Sequence, residues 1–112
     1  MNKKNNIINQ NRHFTKMYNR AKFYNSSELV VYIMENRFSF NRTGIVTSKK
    51  IGIAVKRNRA RRIIKEAYRE IYENLKSGYD VLFVAKKRSV DLKSKDICRS
   101  LIYIFNKAHI LK

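Results

Sequence analysis

A chain of 112 residues has room for one domain and one core, and none for a second full domain. Its 44% apolar content is that of a folding chain and excludes a disordered polybasic tail as the whole story. With 26 Lys and Arg against 8 Asp and Glu, the formal charge of +18 is a self-repulsion that a polyanionic partner would offset.

In chain order, residues 1–10 are rich in Asn and Lys with little periodicity and are expected to form a flexible basic tail, with residues 11–112 as the domain. Phe14, Met17, Tyr18 and Ala21 recur at spacings of three and four, the pattern of one face of a short helix ending near Asn19 to Lys22. Asn25, Ser26 and Ser27 read as a turn before a first strand over Glu28 to Glu35. A polar hairpin region through Asn36, Arg37, Asn41 and Arg42 leads to a second strand over Thr43–Ser48, and the short run Ile51–Val55 reads as a third. From Arg57 the pattern becomes helical: Ile63, Ile64, Ala67, Ile71 and Leu75 recur until Ser77 and Gly78 end the element. Tyr79 to Ala85 is a continuous apolar run, expected as a strand buried on both faces. Lys86, Lys87 and Arg88 form a charged loop, and a last helix begins near Ser94 with Ile97, Leu101, Ile104, Phe105 and Ala108 as its apolar face. The order α-β-β-β-α-β-α predicts an α+β fold, a two-layer sandwich with helices on at least one face of the sheet.

Nucleic acid is the leading candidate for the polyanion, because each phosphate neutralised by Lys or Arg releases condensed counterions. A membrane surface is the rival. No run approaches the roughly 18 apolar residues of a spanning helix, and Met1 to Asn6 lack the apolar stretch of a signal peptide, so the expected location is the cytoplasm. Cys98 is the sole cysteine, which excludes an internal disulfide and a Cys-based zinc site; on its apolar helical stripe it reads as a core residue. His13 and His109 have no second-ligand spacing and read as surface or edge residues.

The most informative segment lies between Lys49 and Arg69. It carries Lys49, Lys50, Lys56, Arg57, Arg59, Arg61, Arg62, Lys65 and Arg69, opposed only by Glu66. At 100° per residue the apolar positions point inward while Arg61, Arg62, Lys65 and Arg69 fan over the outer and flanking surfaces, making a basic ridge on a rigid element. Arginine suits phosphate because its planar fork donates two parallel hydrogen bonds. Asn58 adds an amide that would either cap the helix or bond a ribose or base.

These residues carry a resemblance. The stretch Ser48-Lys-Lys-Ile-Gly-Ile-Ala-Val-Lys-Arg-Asn-Arg-Ala-Arg-Arg-Ile-Ile-Lys-Glu66 resembles the signature of the bacterial ribonuclease P protein subunit family, whose hallmark is an Arg-Asn-Arg shortly after a Lys-Lys-hydrophobic-Gly turn; here it is Arg57-Asn58-Arg59. Phe14 and Tyr18 match an aromatic pair in that family's first helix, Tyr32 an aromatic on its first strand, and Asp80 to Lys86 its last strand, so the likeness runs from about Asn11 to Ala108. Ile53 departs from it, standing where the family commonly carries Asn or Lys, and Tyr18 replaces a commoner Phe.

The resemblance implies a left-handed βαβ crossover, against the usual handedness. It implies a non-catalytic subunit of an endoribonuclease that matures the 5′ end of tRNA, with the partner RNA as catalyst and magnesium bound by that RNA rather than by a cofactor site on the protein. Two RNA surfaces follow. Lys49, Lys50, Lys56, Arg57, Asn58, Arg59, Arg61, Arg62, Lys65 and Arg69 would meet the ribonuclease P RNA through its backbone. Phe14, Tyr18 and Tyr32 would line a cleft between the first helix and the open sheet face that takes the single-stranded 5′ leader of precursor tRNA. For those three aromatics, ordinary core packing is the competing reading. No obligate protein partner is implied.

The residues themselves point the same way about catalysis: no paired carboxylates, Cys-His pair, Ser-His-Asp set or metal cluster is apparent in the sequence. A ribosomal or other general RNA-binding protein would explain the charge equally well, but not the aromatic pair, turn, Arg-Asn-Arg and last strand together. A self-sufficient metal-dependent nuclease would need clustered carboxylates, whereas the acids here are scattered. A membrane-surface protein is disfavoured because the basic helix turns its apolar face to a core.

Overall fold

The computed structural model describes residues 7–112. Helix α1 spans Asn11–Arg20, strand β1 Lys22–Asn25, β2 Leu29–Glu35 and β3 Arg42–Val46; helix α2 spans Ala54–Ile71, β4 Tyr79–Ala85 and α3 Ser94–Lys107. The strands form one mixed sheet in the order β1-β2-β4-β3. β1 and β2 are antiparallel, as are β2 and β4, while β3 runs parallel to β4 and reaches it by a crossover through α2. The element order is the one read from the sequence, and β4 is enclosed as expected, with Val81, Leu82 and Phe83 fully buried.

The two faces of the sheet follow from the period-two alternation of β4. Val81, Phe83 and Ala85 join Leu29, Val31 and Ile33 of β2 in the main core, which α2 and α3 cover with Ala60, Ile63, Ile64, Ala67, Tyr68, Ile97, Leu101 and Phe105. Edge-to-face ring contacts bind the layers, with Tyr68 and Phe105 at 5.2 and 6.4 Å from Phe83. Leu82 points to the opposite face, where Ile8 and Met17 bury against it and Phe14, Tyr32, Val46 and Val84 pack around them. α1 therefore covers only part of this second face.

Four stretches differ from what the sequence pattern predicts. Ile51–Val55 is not a strand. Ser48 caps a single 3-10 turn over Lys49–Ile51 through its Oγ, and Gly52, with φ of 134°, then redirects the chain into the first turn of α2. The β-branched Ile53 and Val55 stand 69% and 72% exposed instead of entering the sheet. The strand that replaces it in the order is β1, a short edge element held by pairing to β2. The segment after β2 is not a hairpin, because β4 lies between β2 and β3; Asn41 ties this loop to the start of β4, its Oδ1 accepting from Tyr79 N–H at 2.8 Å. α2 stops at Ile71, and one 3-10 turn over Tyr72–Asn74 carries the chain to the buried Leu75.

At the amino-terminal side, Met1–Asn6 of the expected tail lie outside the described residues. Ile7 and Ile8, also assigned to that tail, dock on β3, with Ile8 N–H donating to Thr43 O at 2.8 Å. Gly44 permits that approach: a Cβ there would stand 2.8 Å from Ile8 O.

Candidate nucleic-acid interface

α2 displays its cations because its buried residues, Ala60, Ile63, Ile64, Ala67, Tyr68 and Ile71, occupy one side. Lys56, Arg59, Arg61, Arg62, Lys65 and Arg69 are exposed and Arg57 is half-buried, while Lys49 and Lys50 are exposed on the 3-10 turn just before the helix. Helical geometry places Arg61 and Lys65 on the flank toward β3 and Arg59 on the opposite flank. Two of these arginines are braced by the protein. Arg59 Nε donates to Val90 O at 3.1 Å. Arg61 donates through Nη1 to Ile45 O at 2.9 Å and through Nη2 to Thr47 Oγ1 at 3.2 Å. Each guanidinium keeps further N–H donors, so the ridge offers oriented forks rather than free chains.

Asn58 lies in the second turn of α2 and is exposed; the helix cap is Ile53, with no side-chain bond. The capping reading of Asn58 is thereby overturned.

Phe14, Tyr18 and Tyr32 come together on the second sheet face. The Tyr18 ring meets Tyr32 edge-on at 5.1 Å between centroids. Phe14 and Tyr32 are half-buried against Ile8, Met17 and Leu82, whereas Tyr18 is 44% exposed. Partial burial, with Tyr32 beside it, pushes the Tyr18 phenol above its ordinary pKa, so the hydroxyl stays neutral at physiological pH. One aromatic went unforeseen: Phe23 on β1 is 64% exposed and its ring lies 5.9 Å from Tyr32. Alternation within a recognised strand would have flagged it, but a four-residue edge strand gives little pattern to recognise.

A polar network at one end of this face was also missed. Asp80, 2% exposed, accepts a bidentate pair from Arg42 at 2.8 and 2.7 Å, and further bonds from Asn36 Nδ2 and the His13 ring, each at 2.9 Å. Arg42 in turn lies against the Phe38 ring, 4.8 Å from its centroid. Burial alone would raise the Asp80 pKa, but the hydrogen bonds from Arg42, Asn36 and His13 and the charge of Arg42 together hold it below the usual carboxylate range. The other buried acid, Glu28, is held by the hydroxyls of Ser27 and Ser100. Cys98 is buried as expected, and burial, reinforced by Glu70 beside it, pushes its thiol pKa up.

The ridge and the aromatic face are continuous. Phe14, Gly44, Val46, Arg61 and Lys65 line one groove of about 370 Å³ that crosses β3. An aromatic ring on the sheet face, leading along one groove to a braced arginine and a lysine, fits the class of small α+β proteins that hold RNA strands.

Known proteins narrow the class. A family model described as Ribonuclease P matches residues 1–109. The ribonuclease P protein component of Clostridium botulinum (strain Langeland) is 46% identical over 108 residues, spanning 96% of this chain and 97% of the relative. That of Clostridioides difficile (strain 630) is 44% identical over 98 residues, 87% and 86% of the two chains. Among solved structures, the RNase P protein of Staphylococcus aureus has a TM-score of 0.82 at 27% identity, covering 96% of this chain and 98% of that one. The Thermotoga maritima RNase P protein shares the fold, with a TM-score of 0.79 at 21% identity over 89% and 94% of the chains. The chain belongs to the ribonuclease P protein family. Its role is that of a subunit of this tRNA-processing ribonucleoprotein, and no helix among the described residues is long and apolar enough to cross a membrane.

Proposed function

We propose that this subunit positions RNA for a catalyst that is itself RNA. In this reading the α2 ridge, with Lys49, Lys50 and Asn58 beside it, grips the backbone of the ribonuclease P RNA in the cytoplasm. The rings of Phe14, Tyr18 and Tyr32 take the 5′ leader of precursor tRNA, and magnesium held by the RNA carries the cleavage. The observation that carries the reading is the shared groove, where Phe14 on the leader side and Arg61 and Lys65 on the ridge side face one cavity. A leader stacked on the aromatic face is thus led to the cations that hold the catalytic RNA, so both RNAs meet on one small protein. Two of the chain's carboxylates, Asp80 and Glu28, are engaged in the structural hydrogen bonds described above, which supports a positioning rather than a cleaving role.

The test is reconstitution. Nuclease-treated protein alone should leave precursor tRNA intact, and addition of a bacterial ribonuclease P RNA at low magnesium should give specific 5′ maturation that RNA alone performs poorly. Specific cleavage by the protein alone would refute the reading and favour a protein nuclease.

A further inference from the structure

Where the 3-10 turn after α2 meets the loop between β2 and β3 lies a second cavity of about 350 Å³, bordered by Phe40, Tyr68, Tyr72, Glu73, Ser77 and Lys112 and separated from the first groove by Thr43, which borders both. It lies at the carboxy-terminal end of the ridge: Arg57 is eleven residues from Tyr68 on the same helix, or roughly 16 Å along its axis, whereas Arg69 is its neighbour in sequence.

Two groups give this cavity its chemistry. Tyr68 is 3% exposed, its ring packed against Phe83, yet its hydroxyl makes no hydrogen bond to any described residue. No buried side-chain oxygen or nitrogen among the described residues lacks a partner, so this hydroxyl is not itself enclosed: the ring is buried and the hydroxyl opens to the cavity. Glu73 is the second. It is exposed on the 3-10 turn and, like Glu35, Glu66 and Asp91, has neither an ion pair nor a hydrogen bond among the described residues. The cavity therefore presents an unused hydroxyl and an unused carboxylate, with the Phe40 and Tyr72 side chains as aromatic lining.

We propose that this cavity is a guanine site. A flat ring suits aromatic walls, and guanine alone among the common bases pairs two adjacent N–H donors, N1 and N2, with neighbouring acceptors, O6 and N7. Glu73 accepts from N1–H and N2–H as a carboxylate accepts from a two-pronged donor, and the Tyr68 hydroxyl donates to an acceptor on the same base. Adenine offers an acceptor at N1, which a carboxylate repels. The cavity volume lies at the lower end of ordinary small-ligand sites, enough for a base but not for a large cofactor. The source of the base is either a free guanine nucleotide or an unpaired guanosine of a bound RNA.

The probe is guanosine monophosphate, titrated into the full-length protein and followed by the backbone amide signals of Asn41, Glu73 and Ser77, with adenosine monophosphate as comparison. Saturable shifts at these residues are expected, with the adenine nucleotide about tenfold or more weaker, the effect of losing a charge-assisted hydrogen bond. Glu73→Gln should erase the preference for guanine. Tyr68→Phe keeps the packed ring, so an unchanged melting temperature with weaker binding would assign the loss to the hydroxyl. Equal response to the two nucleotides, shifts confined to Arg57–Lys65 as for a bare phosphate, or an unchanged guanine preference in Glu73→Gln would each overturn the proposal. Repeating the titration on the protein assembled with its RNA separates the sources. Binding that persists there assigns the site to a free nucleotide, and binding that disappears there, together with weaker assembly of Glu73→Gln, assigns it to the RNA. Because the first titration uses protein alone, it stands or falls independently of the positioning role in ribonuclease P.

Discussion

Replacing Tyr18 by Ala separates a ring that binds RNA from a ring that merely packs. An aromatic side chain buries about 150–250 Å² when fully enclosed, and Tyr18 is 44% exposed. Roughly 100 Å² is therefore at stake in folding, or about 2.5 kcal/mol at 25 cal/mol per Å², an upper bound because the unfolded chain already buries part of it. A wholly buried aromatic would cost about 3–5 kcal/mol. The exposed part of the ring is what a leader base would cover, and losing one such stack should weaken binding by about 1–3 kcal/mol, or roughly 5- to 150-fold. The assay measures binding of precursor and mature tRNA to the reconstituted ribonucleoprotein, together with the melting temperature of the variant. Precursor affinity should fall within that range while mature tRNA, which has no leader, binds almost as before. Tyr18→Phe should keep the precursor preference, since the ring survives. A precursor-to-mature ratio that stays constant in Tyr18→Ala, with a lowered melting temperature, would refute the leader assignment and return Tyr18 to a packing role.

Replacing Arg57 and Arg59 by Ala should weaken assembly with the RNA and flatten its salt dependence by about 0.7–0.9 units of logarithmic slope for each phosphate no longer neutralised; an unchanged slope would place the interface elsewhere. Arg59→Lys should also reduce affinity, because one ammonium cannot both bond Val90 O and present a fork to phosphate. Asp80→Asn should cost about 3 kcal/mol at neutral pH, the low end for breaking a buried pair because the Arg42 side chain is 25% exposed. Since the folded pKa of Asp80 lies below its unfolded value of about 3.9, its stabilisation is complete above that pH and is lost as pH falls through the folded value. The gap between denaturant melts of the two proteins should therefore begin to close as pH falls below about 4 and be lost only below the folded pKa of Asp80; a gap that does not narrow at all in acid would contradict the ionic account. Gly44→Ala would set a Cβ 2.8 Å from Ile8 O and 3.1 Å from Leu82 Cδ1, so it should cost about 1–3 kcal/mol or release Ile8, seen as faster hydrogen exchange of the Ile8 amide.

What could be read before the fold was known was whatever is encoded locally. The inward stripe of α2, the enclosed run Tyr79–Ala85 and the apolar face of α3 each repeat with a period that one face of one element dictates. The ridge was legible for the same reason, and the three aromatics through the family resemblance. Ile51–Val55 misled because β-branched composition is a statement about average surroundings, while the cap from Ser48 and the positive φ of Gly52 decide the local path. β1 escaped notice because it is a strand only by virtue of pairing with β2. The Asp80 network was invisible for a stricter reason: His13, Asn36 and Arg42 are 67, 44 and 38 residues from it in sequence, and only the folded sheet brings them together.

The bracing of Arg61 has a consequence for the protein before it meets any RNA. β3 is an edge strand, and an open edge offers carbonyl and amide groups to the strands of other molecules. Here Ile8 occupies Thr43 O and Arg61 occupies Ile45 O, so two acceptors of that edge are already taken and a positive charge stands over it. The free subunit is thereby shielded against strand-to-strand pairing at this edge by a residue of the proposed RNA surface. Removing Arg61 would open that edge as well as weaken the grip on RNA, and a lower yield of soluble protein would accompany the fall in affinity.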